Sequence, residues 1–166
     1  MTPARGELTP TSLSDHYIVV GHGRVGSVIE EALRSSEVPI LVIEDHSAAV
    51  ANLDGVEVIK GNAADPEVIQ AANLPRARCL LVAIPDAFEG GQVVQQARAI
   101  NPNLPIIARA HSEEEIGHLK RHGANIVVMG EHEIAKSMLD RVSAAPAEQA
   151  ASAAELSPAI FAEKPA

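Results

Sequence analysis

Short runs of aliphatic residues alternate with segments of helical periodicity along most of the chain, and this alternation constrains the fold more than any other feature. Six such runs begin near residues 17, 40, 56, 78, 106 and 125. Strands that alternate with amphipathic helices predict a parallel sheet with crossover helices on both faces. The sequence therefore predicts an α/β fold: a Rossmann-type, doubly wound, parallel six-stranded sheet in the strand order 3-2-1-4-5-6, within a three-layer αβα sandwich.

The two ends of the chain lack this alternation. Residues 1–14 carry Pro, Thr, Ser and Gly without periodicity, and residues 143–166 are rich in Ala and Pro. Segments of this composition bury too little apolar surface to fold by themselves. We therefore expect a flexible N-terminal segment over 1–14, one folded domain over 15–142, and a disordered tail over 143–166.

A glycine-rich turn joins the first strand to the first helix. Its residues are Gly21, His22, Gly23, Arg24, Val25 and Gly26. The first glycine allows a tight turn, the second lets backbone amides approach a phosphate, and the third lets the helix pack closely on the strand. Arg24 is placed to touch a phosphate, whereas His22 is expected to contribute only its backbone. Because the turn opens an amphipathic helix, whose N-terminus attracts anions, it predicts a nucleotide site; a turn needed only for packing is the alternative.

An acidic pair, Glu44 and Asp45, follows the second strand, 18 positions after Gly26. A carboxylate that binds the ribose is expected about 20 residues beyond the glycine turn. Glu44 is the better candidate because it directly follows the apolar Ile43, whereas Asp45 can equally be a solvated charge. A carboxylate here would accept hydrogen bonds from the ribose hydroxyls and repel a 2′-phosphate, which disfavours NADP.

Other ligand contacts are expected where the remaining strands end, because ligands of open α/β sheets lie outside the carboxyl ends of the strands. We predict contacts from Asn62 and Ala63 after the third strand, from Ile84 after the fourth, and from Arg109 after the fifth. Two of these roles stay open. Asn62 either hydrogen-bonds the adenosine or forms an Asx turn, and Arg109 either clamps a phosphate or pairs with Glu131.

Composition limits the classes of partner and site. A net charge of −9 argues against nucleic acid, because affinity for its backbone is built from clustered Lys and Arg. The histidines lack metal-ligand spacing, and His118 and His122, four apart on one predicted helix, are expected to be exposed. Cys79 lies in an apolar run and is expected to be a buried thiol. No apolar stretch approaches the length of about 18 residues that spans a bilayer, so the chain itself is expected to be soluble.

From Tyr17 to Val142, about three-quarters of the chain, the sequence resembles the N-terminal domain of the RCK family, also called the Trk-type NAD-binding domain. That family regulates potassium channels and cation transporters. The matching stretches are residues 18–26, 39–44, 61–63, 83–86 and 107–110. Residues 61–63 read Gly-Asn-Ala where the family usually has Gly-Asp-Ala. With the run at 127–131, this variant looks most similar to the C-terminal domains of Kef-like monovalent cation:proton antiporters.

The resemblance implies a cytosolic regulatory domain at the cytoplasmic face of the inner (plasma) membrane, in a protein that continues N-terminally into a transmembrane antiporter domain. It also implies an adenine nucleotide ligand, AMP or NAD(H), with ATP in the same class, and a homodimer formed through the last helix. Asn62 in place of Asp removes a charge near the ribose or adenine, which favours AMP over NAD(H).

Two other functions remain open at this point. A small NAD-dependent oxidoreductase with its substrate at a dimer interface would use His111 and Asp86 as acid/base groups. No second catalytic half follows Val142, however, so we expect binding without turnover. A purely structural assembly module would present Ile134 and Met138, with their neighbours on the last helix, to a partner, although such a stripe is more commonly core packed against the sheet.

Overall fold

The computed structural model describes residues 8–144. The strands are β1 (Tyr17–Val20), β2 (Ile40–Glu44), β3 (Glu57–Lys60), β4 (Cys79–Val82), β5 (Ile106–Ala110) and β6 (Ile126–Met129). The helices are α1 (Arg24–Leu33), α2 (Ser47–Val50), α3 (Pro66–Gln70), α4 (Ala87–Ile100), α5 (Glu113–His122) and α6 (Gly130–Ser143), with a 3₁₀ turn at Leu74–Arg76. Half of the predicted flexible N-terminus, residues 1–7, lies outside the described residues. So does nearly all of the predicted disordered tail, residues 145–166.

The six strands form one sheet in the order β3-β2-β1-β4-β5-β6, and every neighbouring pair is parallel. The predicted strand order and Rossmann-type fold are therefore confirmed. Val20, the last residue of β1, lies beside Ile43 of β2 and Val82 of β4. The chain adds strands on one side of β1 first and on the other side afterwards, so the crossover helices diverge to opposite faces at this point. A crevice opens there, at the carboxyl ends of the strands.

Alternating side chains give the sheet an apolar layer on each face. Ile18 and Val20 belong to the larger core cluster, which includes buried residues of α3, α4 and α5. Val19 and Val42 belong to the smaller cluster, which α1 and α2 cover. The strands are nearly continuous aliphatic runs because both of their faces are buried.

Two elements end before their apolar sequence patterns do. The apolar pattern of α2 continues to Leu53, but the helix ends at Val50, where the Leu53 N–H bonds to the Val50 carbonyl at 3.1 Å in a turn, and Gly55 follows with a φ of 77°. The apolar run of β4 continues to Ile84, but the strand ends at Val82, which places Ile84 in the loop before α4. Both differences lie at strand or helix ends, where sequence periodicity is least informative.

Residues 8–14 pack onto the domain, although they belong to the segment that the sequence predicts to be flexible. The Thr11 N–H donates to the Ala71 carbonyl at 2.8 Å, and the Asn73 side chain donates to the Leu13 carbonyl at 2.8 Å. Leu8 and Leu13 contact the larger core cluster. The folded domain therefore begins before residue 15.

The prediction that His118 and His122 are exposed is wrong, because both are half-buried where α5 packs on α4. Their rings lie 4.3 Å apart between centroids, and the His118 ring stacks on Phe88 at 5.6 Å. Gly91 of α4 makes room for the His118 ring, since a Cβ at Gly91 would overlap the His118 Nε2 atom. Cys79 is half-buried, and burial raises the pKa of its thiol.

The described residues divide into two compact units, which separate after Gly130. Within the second unit, α6 is amphipathic, and none of its residues is buried. Its apolar side chains Ile134, Met138, Leu139 and Val142 are each more than half exposed. Within residues 8–144, no helix is both long enough and apolar enough to cross a membrane.

The first unit leaves part of one sheet face uncovered. An apolar groove of about 190 Å³ runs between α1 and the face of β4, β5 and β6. It is lined mainly by Val25, Ile29, Leu81, Ile107 and Val128. α1 and α2 cover the other half of this face, over β1, β2 and β3.

Substitution of Gly26 tests how closely α1 packs on the glycine turn. A Cβ at Gly26 would overlap the carbonyl oxygen of Gly21, whereas one at Gly23 would meet no atom within 4 Å. We expect Gly26→Ala to lower the free energy of unfolding by about 3 kcal/mol and the matched Gly23→Ala to lower it by less than about 1 kcal/mol. Urea denaturation measures both values, and equal losses would contradict this account of the turn.

Candidate functional site

A cleft of about 500 Å³ lies at the carboxyl end of the sheet, where the fold opens between β1 and β4. Loops that follow β1, β2, β3 and β4 contribute to it, together with Arg109 near the end of β5. We call it the strand-end cleft; its lining residues are Val20, Gly21, Gly23, Arg24, Ile43, Glu44, Asp45, His46, Gly61, Asn62, Ala63, Ala83, Ile84, Pro85, Asp86, Glu89 and Arg109.

The glycine turn presents the start of α1 to this cleft. Gly21 adopts a φ of 92°, and a Cβ there would lie 2.8 Å from the Cγ2 atom of Ile84, so glycine is required. Gly23 is the N-cap of α1, and no side chain caps the helix. The first turn of α1 also contains no acidic residue. The free N–H groups and the positive end of the helix dipole are therefore available to an anion.

Glu44 lies at the end of β2 with its carboxylate held in place. Its Oε2 atom accepts a hydrogen bond from the His22 N–H at 2.7 Å, and its Oε1 atom accepts one from the His46 N–H at 3.1 Å. Glu44 is buried. Each carboxylate oxygen has two lone pairs, so Oε2 retains one for a ligand hydroxyl, while the Nδ1 atom of His46 lies 3.3 Å from Oε1. The carboxylate is thus fixed beside the glycine turn and can still accept a hydrogen bond from a ligand.

Asn62 forms the Asx turn that the sequence left as an alternative. Its Oδ1 atom accepts a hydrogen bond from the Ala64 N–H at 2.8 Å, and its side chain lies near Glu89, whose pKa it lowers. Asn62 and Ala63 nevertheless line the cleft. The turn therefore orients the residues that follow β3 toward the cleft.

Acidic groups outnumber cationic groups around the cleft. Arg24 and Arg109 face four carboxylates, those of Glu44, Asp45, Asp86 and Glu89. Burial raises the pKa of Glu89, and the neighbouring charges of Asp86 and Asp45 raise it further. The cleft thus carries a net negative charge, with its cations at the glycine turn and at the end of β5.

Hydrogen bonds made by Asp86 and Arg109 support the walls of the cleft. The Asp86 carboxylate caps α4 by accepting hydrogen bonds from the N–H groups of Phe88 and Glu89 at 2.8 and 3.1 Å. The Arg109 guanidinium donates to the Ala83 carbonyl at 3.4 Å. That bond crosses from β5 to the loop after β4 and holds Arg109 at the cleft edge.

The structure brings together all but three of the residues predicted from sequence. Gly21, Gly23, Arg24, Glu44, Asp45, Asn62, Ala63, Ile84 and Arg109 line the cleft. Gly26 is buried beneath the turn, Val25 lines the apolar groove, and the His22 side chain turns away toward α2.

Two ionisable side chains of the cleft, those of His46 and Glu89, were not predicted. His46 lies two positions after Glu44, and Glu89 lies in the first turn of the helix that Asp86 caps. Both lie close in sequence to predicted residues, and this closeness could have identified them. The acid/base pair of the oxidoreductase alternative is not assembled here, since Asp86 caps α4 and His111 is not among the lining residues. Among the described residues, no group of three His, Cys, Asp or Glu side chains is arranged to hold a metal ion.

Comparison with known proteins identifies the family. The TrkA-N domain family matches residues 17–130. The putative cation/proton antiporter YbaL of Escherichia coli is 44% identical over 140 residues, which cover 83% of this chain and 25% of the antiporter. The chain therefore spans about a quarter of the length of that relative.

Solved structures agree with this match. The crystal structure of the TrkA-N domain of E. coli YbaL is 45% identical with a TM-score of 0.75, and the match covers 78% of this chain and 98% of that one. The Shewanella denitrificans Kef C-terminal domain in its AMP-bound form shares the fold at 22% identity and a TM-score of 0.68, covering 85% and 89% of the two chains. The GsuK channel bound to NAD does so at 21% identity and a TM-score of 0.65, covering 75% and 23%. The resemblance drawn from the motifs is confirmed, and the chain belongs to the TrkA-N domain family.

Proposed function

We propose that the chain is the nucleotide-sensing regulatory domain of a potassium or other monovalent cation:proton antiporter, or of a related transporter. It would bind AMP or NAD(H) at the glycine-rich loop, at the cytoplasmic face of the inner (plasma) membrane, attached to the transmembrane antiporter domain of the full-length protein. One observation carries the proposal: the carboxylate of Glu44 is held by the backbone of the glycine turn, beside an α1 N-terminus that no side chain caps. A nucleoside phosphate needs both groups together.

The geometry of the cleft suggests how AMP would lie. Its phosphate would meet the N–H groups at the start of α1 and the guanidinium of Arg24. Its ribose hydroxyls would donate to the carboxylate of Glu44, and its adenine would lie over Asn62 and Ala63. This arrangement runs along the sheet edge from β1 to β3, as expected for the first nucleotide of a Rossmann site.

The charge of the cleft favours ligands with few phosphates. Four carboxylates face two guanidinium groups, so each further phosphate adds repulsion that only Arg109 is placed to offset. AMP and NAD(H) are preferred over ATP on this ground. The related Kef domain in its AMP-bound form and the GsuK channel bound to NAD are consistent with either ligand.

We also propose a homodimer, in which α6 of a second copy lies in the apolar groove beside α1. The exposed apolar stripe of α6 and the apolar lining of the groove complement each other in chemistry, and each leaves a hydrophobic surface unburied in the single chain. A nucleotide would regulate the transporter by binding two dimer geometries with different affinity, because only differential affinity shifts such an equilibrium.

Glu44→Gln tests the ribose contact and the choice of cofactor. Wild type is expected to bind AMP and NAD(H) in isothermal titration calorimetry, and to bind NADP at least about tenfold more weakly than NAD. Loss of the charged hydrogen bonds should weaken AMP binding by about 10- to 100-fold. The ratio of NADP to NAD affinity should rise in Glu44→Gln, a change that a general loss of folding would not produce.

Glu57→Gln is the matched control, because Glu57 is exposed at the opposite end of β3. Its AMP affinity should equal that of wild type. If none of AMP, NAD, NADH and ATP binds wild type at millimolar concentration, the proposed function is wrong.

Glu89→Gln tests the effect of the crowded carboxylates. Since folding raises the pKa of Glu89, its ionised form destabilises the fold, and this destabilisation appears as the pH rises above the usual carboxyl range. The melting temperature of Glu89→Gln should therefore exceed that of wild type at pH 7, and the two should converge at about pH 3. Its affinity for ATP should rise more than its affinity for AMP, and an unchanged ratio would argue against selection by charge.

Met138→Asp tests the dimer. Burying two charged side chains by symmetry should raise the dimer dissociation constant by about 100-fold or more, as measured by sedimentation velocity. Lys136→Asp introduces the same side chain at an exposed polar position of α6 and should leave the dimer intact. Monomeric wild type, or equal dissociation of both variants, would exclude this interface.

A further inference from the structure

The side chain of His22 is almost fully buried, although it belongs to a loop between two glycines. It is 11% exposed. Its Nδ1 atom lies 3.0 Å from the carbonyl oxygen of Ala49 in α2. Its Nε2 atom lies 3.7 Å from Oε1 of Glu30 in α1 and has no hydrogen-bond partner among the described residues. The ring therefore bridges the glycine turn to two helices.

The partners of the ring determine where its protons lie. A carbonyl oxygen can only accept, so the Nδ1 atom facing Ala49 must carry a proton. The Nε2 atom faces the carboxylate of Glu30 across 3.7 Å.

The charged groups around His22 define this environment. From α1, Glu30 faces the ring and is itself held by Arg34, whose guanidinium donates to both carboxylate oxygens at 2.9 and 2.7 Å. Arg34 lowers the pKa of Glu30, and His22 adds to that effect. At the end of β2, Glu44 accepts the backbone N–H of His22 and lies 3.3 Å from the Nδ1 atom of His46. α2 contributes a carbonyl and no charge at this point.

We propose that His22 is a positioning residue of the nucleotide site, whose imidazole ring clamps the glycine turn to α1 and α2 and so orients the N–H that holds Glu44. The proposal rests on the proposed nucleotide-binding function. α2 has only four residues and no side-chain cap, so the bond to Ala49 supports the segment that follows Glu44. Loss of the clamp loosens the phosphate side and the ribose side of the cleft together.

The first part of the test needs no nucleotide. Nitrogen-15 NMR of the histidine rings in the full chain, with His22→Gln identifying the missing signal, should find neutral His22 protonated at Nδ1. Hydrogen exchange of the His22 and His46 amides should be about tenfold faster in His22→Gln, as the bonds to Glu44 open more frequently. A neutral ring protonated at Nε2, or unchanged amide exchange, overturns the clamp.

The second part measures the AMP dissociation constant. Wild type should bind AMP about tenfold more tightly than His22→Gln. His122→Gln, on α5 outside the cleft, should bind AMP as tightly as wild type. Equal AMP affinity of wild type and His22→Gln overturns the positioning role.

The two parts test the clamp and the proposed function separately. Absence of AMP binding by wild type contradicts the proposed function, while NMR and amide exchange still decide whether the clamp exists.

Discussion

Gly26 lies directly beneath the carbonyl of Gly21, and the position of α1 depends on that contact. With no side chain between them, the helix begins immediately at the end of β1 and directs its uncapped N–H groups into the cleft. A Cβ at Gly26 would push the helix away from the turn and remove the amides from the place where a phosphate can reach them. The requirement for glycine is therefore one of backbone packing first, and the anion site follows from it.

Buried charge organises the other side of the cleft. Glu44 is satisfied by two backbone N–H groups from different loops, and Glu30 is satisfied by Arg34 with His22 nearby. Such carboxylates are tolerated in a small domain only because each has several donors. The same hydrogen bonds tie β1, β2, α1 and α2 together at their ends. Binding geometry and local stability thus depend on one set of polar contacts.

The groove of the first unit and the stripe of α6 are both exposed apolar surfaces. A sheet face needs a second layer, and the groove beside α1 lacks one among the described residues of that unit. The strand-end cleft and the groove share α1, with Arg24 on one side and Val25 on the other.

The sequence by itself determined the strand order, the glycine turn and the candidate ribose carboxylate. These follow from local periodicity, from the handedness of crossovers, and from the rule that ligands meet strand ends. Only the tertiary structure decided the role of the His22 ring, the burial of His118 and His122, and the exposure of α6. Each depends on a partner from a distant part of the chain: Ala49 and Glu30 surround His22, and Gly91 accommodates His118. Residue patterns report which face of an element is apolar. They do not report which side chain of another element will meet it, because that is set by how the elements pack.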